Sequence, residues 1–389
     1  MVTIGNIILF VLGLSLLIFI HEFGHFLFAK LFNVYCLEFS IGMGPSIVSK
    51  KFKKDEETTY SIRALPIGGY VSMAGETLEN SETEKELEIP YQRTINGVSP
   101  WKRAIITIAG ITFNFIFALI LIAIFIFANG VSTNDNQIQI TANSIASEAN
   151  LSSGDKIVAV KDIRVYSGEN EIYTDCTNPN ETCEIVYFSG FNTYLNNELL
   201  LSKTADYREA HPEAVITQTI TIIYSHKGSE GVNSTILVRN FDNAKEAFPL
   251  LGINEARTTP NVFKGIGLTF VTFGKIIVLM VQAILSLFSI DGFKSLGGVV
   301  SMYQTSATMA SEGVLSYIWF LAIISVNLGF FNLLPIPALD GARFYISIIE
   351  GITNRKLNPK IEGYLNMFGM LLLFGLMIAV TIKDIIGLF

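Results

Sequence analysis

Long uncharged apolar runs punctuate this chain, and the first of them leads into ionisable residues instead of a loop. Residues 4–20 carry no charge, and His21-Glu22-Phe23-Gly24-His25 follows while the apolar pattern continues to Phe32. Three further stretches are long enough to cross a bilayer core of about 30 Å. They are 105–128, with Asn114 as its one strongly polar side chain, about 314–334 and about 364–382. Residues 266–290 are apolar apart from Lys275 and Gln282. A crossing there would reverse the next span and carry Asp340 to the face opposite His21 and His25, so the segment reads as interfacial or re-entrant.

Residues 131–260 form the one large hydrophilic block. Alternating runs such as Gln137-Ile138-Gln139-Ile140, the stretch from Lys156 to Val160 and that from Val215 to Ile222 predict half-buried strands. Ser153-Gly154-Asp155 marks a turn. Residues 166–210 read as an irregular polar insertion in this β-rich domain. The pattern therefore divides the chain into a first span (1–32), a loop (33–103), a second span (104–130), the β-rich block (131–260), an interfacial or re-entrant piece (261–312), a third span (313–342) and a loop with a fourth span (343–389).

Composition agrees with a polytopic α-helical membrane protein of about four spans. Half of the 389 residues are hydrophobic and the mean hydropathy is +0.46, values a soluble globular chain of this length rarely combines. A net charge of -7 offers no basic surface for nucleic acid. Lys50, Lys51, Lys53, Lys54, Arg63, Lys102 and Arg103 lie between the first two spans, and Arg343, Arg355, Lys356 and Lys360 follow the third. Positive charge marks cytoplasmic loops, so both termini and the β-rich block fall outside. The apolar N-terminus lacks a basic n-region and a cleavage site, so it is expected to stay in the membrane as a span. Three cysteines exclude a cysteine-rich zinc module. Cys176 and Cys183 are either a pair, in an extracytoplasmic loop, or two free thiols.

Candidate chemistry comes from the histidines. Residues four apart on a helix share a face, so His21 and His25 point at one ion. Glu22 lies one step round, where a general base for an activated water belongs. Ionisable groups at membrane depth are costly and usually serve a site. A catalytic zinc takes three protein ligands and leaves one position open. The other two histidines, His211 and His226, lie in the hydrophilic block, so the third ligand is expected to be a carboxylate at the end of another span. Asp340 fits, after Pro335 and Pro337 stop the helix. Polar groups gathered at one depth argue against a metal transporter, which would distribute them along several spans.

These motifs resemble the site-2 protease family of intramembrane zinc metalloproteases, most closely its bacterial RseP type. The resemblance is carried by the stretch from His21 to His25, by Glu38 to Pro45 with Arg63 to Val71, by Ala109-Gly110 with Asn114, and by Asn332 to Gly341. The stretch from Asn143 to Val160 resembles the ligand-loop side of a PDZ domain. Ile111, Ala338 and Ala342 depart from the usual family residues, as does the insertion at 166–210. The family implies a zinc ion held by His21, His25 and Asp340, with Glu22 as the catalytic base and Asn114 as a structural group or a support for a ligand. It implies cleavage of single-span membrane proteins, such as anti-sigma factors and remnant signal peptides, at the inner (plasma) membrane. The site then lies near the cytoplasmic side, with the PDZ-like domain outside. The stretch from Thr59 to Val71 reads as a strand and glycine turn, and the family implies a membrane-associated β-sheet there. Its exposed edge, with Tyr60, Ile62, Gly68 and Gly69, would take an unwound substrate by β-addition. Asn332 and Asn327 either hydrogen-bond the substrate backbone or bridge helices. The competing reading of the same fold is an inactive membrane PDZ scaffold.

Overall fold

The structure, a computed structural model, describes residues 4–53, 55–76, 87–132, 136–175, 183–184, 205–226, 231–242, 251–286 and 297–386. In chain order the elements are α1 (Ile4–Leu31), β1 (Cys36–Phe52), β2 (Asp55–Met73), α2 (Pro100–Asn129), β3 (Val131–Ser132), β4 (Ile138–Ile140), α3 (Ile145–Glu148), β5 (Lys156–Ser167), β6 (Asn170–Asp175), β7 (Cys183–Glu184), α4 (Ala205–Ala210), β8 (Val215–Ser225), β9 (Asn233–Asp242), β10 (Ile253–Glu255), β11 (Arg257–Thr258), α5 (Val262–Ser286), α6 (Val299–Glu312), α7 (Val314–Leu333), α8 (Asp340–Thr353) and α9 (Pro359–Ile386). They group into two compact units, residues 1–128 with 261–389, and residues 129–260.

The first unit is a helical bundle with a small sheet. α1, α2, α5, α7 and most of α9 are each long and apolar enough to cross a membrane, so the chain is a multi-pass membrane protein. The outward positions of α1 are Ile4, Ile7, Ile8, Leu12, Leu16 and Leu27, side chains that suit lipid and not water. α2 runs antiparallel to α1, because Ile106 meets His25 and Asn114 meets His21. α7 runs in the direction of α1: the Tyr317 hydroxyl donates to the Leu9 carbonyl near the start of both helices (2.8 Å), and Asp340 beyond the end of α7 meets both histidines.

The stretch expected to be interfacial or re-entrant is, as far as Ser286, an unbroken helix of span length, α5. It packs antiparallel along α2, with Gly265 against Phe127 and the Phe273 ring 5.5 Å from that of Phe115. Lys275 and Gln282 are two turns apart on one exposed face, and the one polar side chain buried in the packed face, Thr269, donates to the Gly265 carbonyl of its own helix. A helix of span length here coexists with Asp340 beside both histidines.

β1 and β2 each bend into two limbs. Residues 46–52 pair antiparallel with 55–63, and 36–41 pair antiparallel with 69–73. Glu38 to Ile41 also pair with Thr59 to Ile62, so the limb 36–41 has a partner on both sides. The Glu38 carboxylate pins three limbs together, accepting from Ser61, from Arg63 (2.7 Å) and from Tyr70 (2.6 Å). Burial alone would raise the pKa of this carboxylate, but those donors outweigh it and hold it below the ordinary range. Phe39 seats the sheet on α1, its ring 4.8 Å from Phe26 and 5.7 Å from Phe19.

In the second unit, β6, β5, β8 and β9 lie side by side as an antiparallel sheet, and β7 also pairs with β5. The alternation in β8 buries Ile216, Gln218, Ile220, Ile222 and Tyr224 on one face, as period-two patterning requires. Ile138, Ile157, Ile163, Ile220 and Leu237 are at its core. β4 pairs with β10 and β3 with β11, so the two ends of the unit meet in short ladders. Cys176 and most of the insertion at 166–210 lie outside the described residues.

Candidate metal centre

Two elements bring three ligands together. His21 and His25 project from one face of α1, and Asp340 opens α8 just past the proline turn that ends α7. His21 Nε2 stands 2.7 Å from Asp340 Oδ2, His25 Nε2 stands 3.3 Å from the same oxygen, and the two imidazole nitrogens are 3.2 Å apart. One donor atom from each residue lies within 4.8 Å of the others. Both rings are buried, while a quarter of the Asp340 side chain is exposed. Two neutral imidazoles and a carboxylate are a nitrogen–oxygen donor set that suits zinc.

The surroundings orient the rings. His25 Nδ1 donates to the Ile106 carbonyl at 2.8 Å, which leaves Nε2 with its lone pair toward the cluster. His21 Nδ1 lies 3.0 Å from the Asn114 amide nitrogen, and Asn114 Oδ1 is buried without a partner. With His21 Nε2 given to a metal, Nδ1 carries the proton, and the Asn114 amide turned end for end meets that proton with its oxygen. The orphaned oxygen is thus accounted for by an occupied site. Ser325 of α7 donates to the Asn114 carbonyl at 2.8 Å and ties α7 to this support.

Small residues make the close approach possible. A Cβ on Gly24 would stand 2.6 Å from the Ala109 carbonyl oxygen, and a Cβ on Gly110 would stand 2.4 Å from His25 Nε2. Sequence motifs marked Ala109-Gly110 but gave it no role; the role is clearance for an imidazole. Gly110→Ala is therefore expected to displace the His25 ring and to lower zinc affinity by about 10–100-fold, the usual cost of disturbing a ligand's support. Competition with a chromophoric chelator checks this.

Glu22 follows His21 on the same turn, and its carboxylate accepts from the Val71 N–H at 3.1 Å. That N–H belongs to the sheet limb 69–73, whose other side carries no strand among the described residues. Gly68 and Gly69 open this limb beside α1, with Ile18 of α1 within 3.6 Å of a Cβ built on Gly68. Tyr60 and Ile62 do not lie on the free edge. Their backbones pair on one side with Phe39 and Ile41 and on the other with Lys50 and Val48, and the Tyr60 hydroxyl donates to Asp55. The expected edge is thus corrected: the limb 36–41 inserts between 59–62 and 69–73 and moves the open edge onto the glycine-bearing limb. Asn327 and Asn332 are half-buried on α7, and neither side chain has a hydrogen-bond partner among the described residues.

A buried His-His-Asp cluster within a bundle of apolar helices, with a carboxylate next to the first histidine, defines a membrane-embedded metallohydrolase. The profile of Peptidase family M50 matches residues 9–376. The chain belongs to this family, the site-2 protease family of zinc metalloproteases. A protein of Clostridium acetobutylicum with a provisional zinc-metalloprotease designation is 31% identical over 385 residues, covering 98% of this chain and 97% of its own. The zinc metalloprotease RasP of Shouchella clausii is 29% identical over 459 residues and covers 99% of this chain and 100% of its own length. The Eep protein of Enterococcus faecalis, named a probable protease, is 27% identical over 460 residues and covers 98% of each chain.

Proposed function

We propose that the protein hydrolyses peptide bonds in or near the transmembrane segments of single-span membrane proteins, with His21, His25 and Asp340 as the zinc ligands and Glu22 as the general base. The convergence of three donors from α1 and the start of α8 inside an apolar bundle carries this reading. Zinc held there would polarise the scissile carbonyl and acidify the attacking water. Glu22 takes the proton and delivers it to the leaving amine. Its bond to the Val71 N–H fixes the carboxylate beside the sheet edge.

A helical substrate hides its carbonyls in i→i−4 hydrogen bonds, so it must unwind before cleavage. Its freed backbone groups need partners that lipid does not supply. The open edge of residues 69–73 supplies them by β-addition, running past Glu22. Asn327 and Asn332, with unpaired amides, bind the same extended backbone. The lysines and arginines between α1 and α2 and after α7 support an orientation with the sheet and Asp340 toward the cytoplasm of a plasma (inner) membrane and the β-rich unit outside. That unit, read as PDZ-like, screens substrates that have not been trimmed outside the membrane.

The test is cleavage of a model single-span peptide by purified full-length protein, with the cut mapped by mass spectrometry. We expect a cut within the apolar segment that stops with chelator and returns with added zinc. A scaffold of the same fold would leave the peptide whole under every condition.

A further inference from the structure

We infer that Asn366 and Gly369 of α9 are positioning residues, which hold the Pro337–Ala338 peptide in its flipped orientation and so present Asp340 to the metal. The inference rests on the metal-centre reading above. Leu339 N donates to the Ile336 carbonyl at 3.1 Å, so residues 336–339 form a β-turn that ends one residue before Asp340. Pro337 occupies the second position and Ala338 the third, where φ is +77°. Proline followed by a positive φ is the mark of a type II turn, in which the third position favours glycine or asparagine. Alanine there is strained, and a type I turn, with the central peptide rotated and φ negative, relieves it.

Both ends of that central peptide are engaged by one face of α9. The Ala338 N–H donates to Asn366 Oδ1 at 3.3 Å. The Pro337 carbonyl oxygen, the other end of the same peptide, lies where a Cβ on residue 369 would be only 2.1 Å away. Asn366 and Gly369 are three residues apart and share a helix face. One accepts the hydrogen bond that the flipped peptide offers, and the other makes room for its oxygen. The turn therefore keeps a conformation its alanine disfavours, and Leu339 enters α8 with Asp340 aimed at the histidines.

The experiment measures zinc affinity of full-length protein in detergent by chelator competition, with the visible spectrum of the cobalt-substituted site as a second readout. Loss of the latch is expected to weaken zinc binding about tenfold, equivalent to about 1.4 kcal/mol. Asn366→Leu should show this loss and an altered cobalt spectrum, and Asn366→Asp, which keeps an acceptor, should match the parent. Ala338→Gly removes the strain, so Ala338→Gly with Asn366→Leu should recover the parent affinity. Unchanged affinity in Asn366→Leu, or a loss that Ala338→Gly does not restore, overturns the inference. Should Asn366→Leu not fold, Gly369→Ala carries the test through its clash with the Pro337 carbonyl, and parent-like affinity there overturns it equally. A parent protein that binds no zinc would sink the metal-centre reading itself.

Discussion

Glu22→Gln is expected to lower cleavage of a single-span peptide by about 10²–10⁴-fold, the usual contribution of a positioned acid–base group, with zinc content unchanged. Glutamine keeps the shape of the side chain and still accepts from the Val71 N–H, as the carboxylate does at 3.1 Å. It cannot take a proton. The substitution therefore separates proton transfer from placement, which truncation to alanine would not. Parallel assays of turnover and of bound zinc read the two apart. A variant that cuts at the parent rate removes Glu22 from the mechanism, and one that loses zinc as well makes it a structural support.

Asp340→Ala is expected to abolish zinc retention at chelator concentrations that the parent withstands, a loss beyond the ~10–100-fold that changes behind a ligand cause. The carboxylate is the one donor that α1 does not supply, and no other His, Cys, Asp or Glu among the described residues joins the cluster. Asp340→Asn should fall between, since the amide oxygen keeps the position and loses the charge. Cleavage should disappear with the metal in both variants. Zinc bound by Asp340→Ala at parent affinity would give the third position to another group.

What was legible in the sequence followed local rules. Two histidines four apart in an uncharged run share a face by helix geometry alone. Asp340 could be picked because two prolines end a span just before it and because the remaining histidines lie in the hydrophilic block. The strands from Lys156 and Val215 were readable from period-two alternation, and both are strands in the sheet of the second unit. What was not legible depends on residues far apart in the chain. The position of the sheet's open edge depends on residues 36–41 inserting between 59–62 and 69–73, and alternation within 59–71 holds no trace of that partner. Gly110 looks like any small residue in an apolar run until the His25 ring lies against it. The Ile106 carbonyl has no side chain to announce it. A parity assumption decided the reading of α5, while its length and composition meet the requirement for a span.

X-ray absorption at the zinc edge of the purified full-length protein tests the central claim most directly. We expect a first shell of nitrogen and oxygen at about 2.0–2.2 Å, with the outer-shell scattering of two imidazoles, and loss of that pattern in Asp340→Ala. A sulfur shell near ~2.3 Å, a single imidazole, or a spectrum unchanged by removing Asp340 would contradict it.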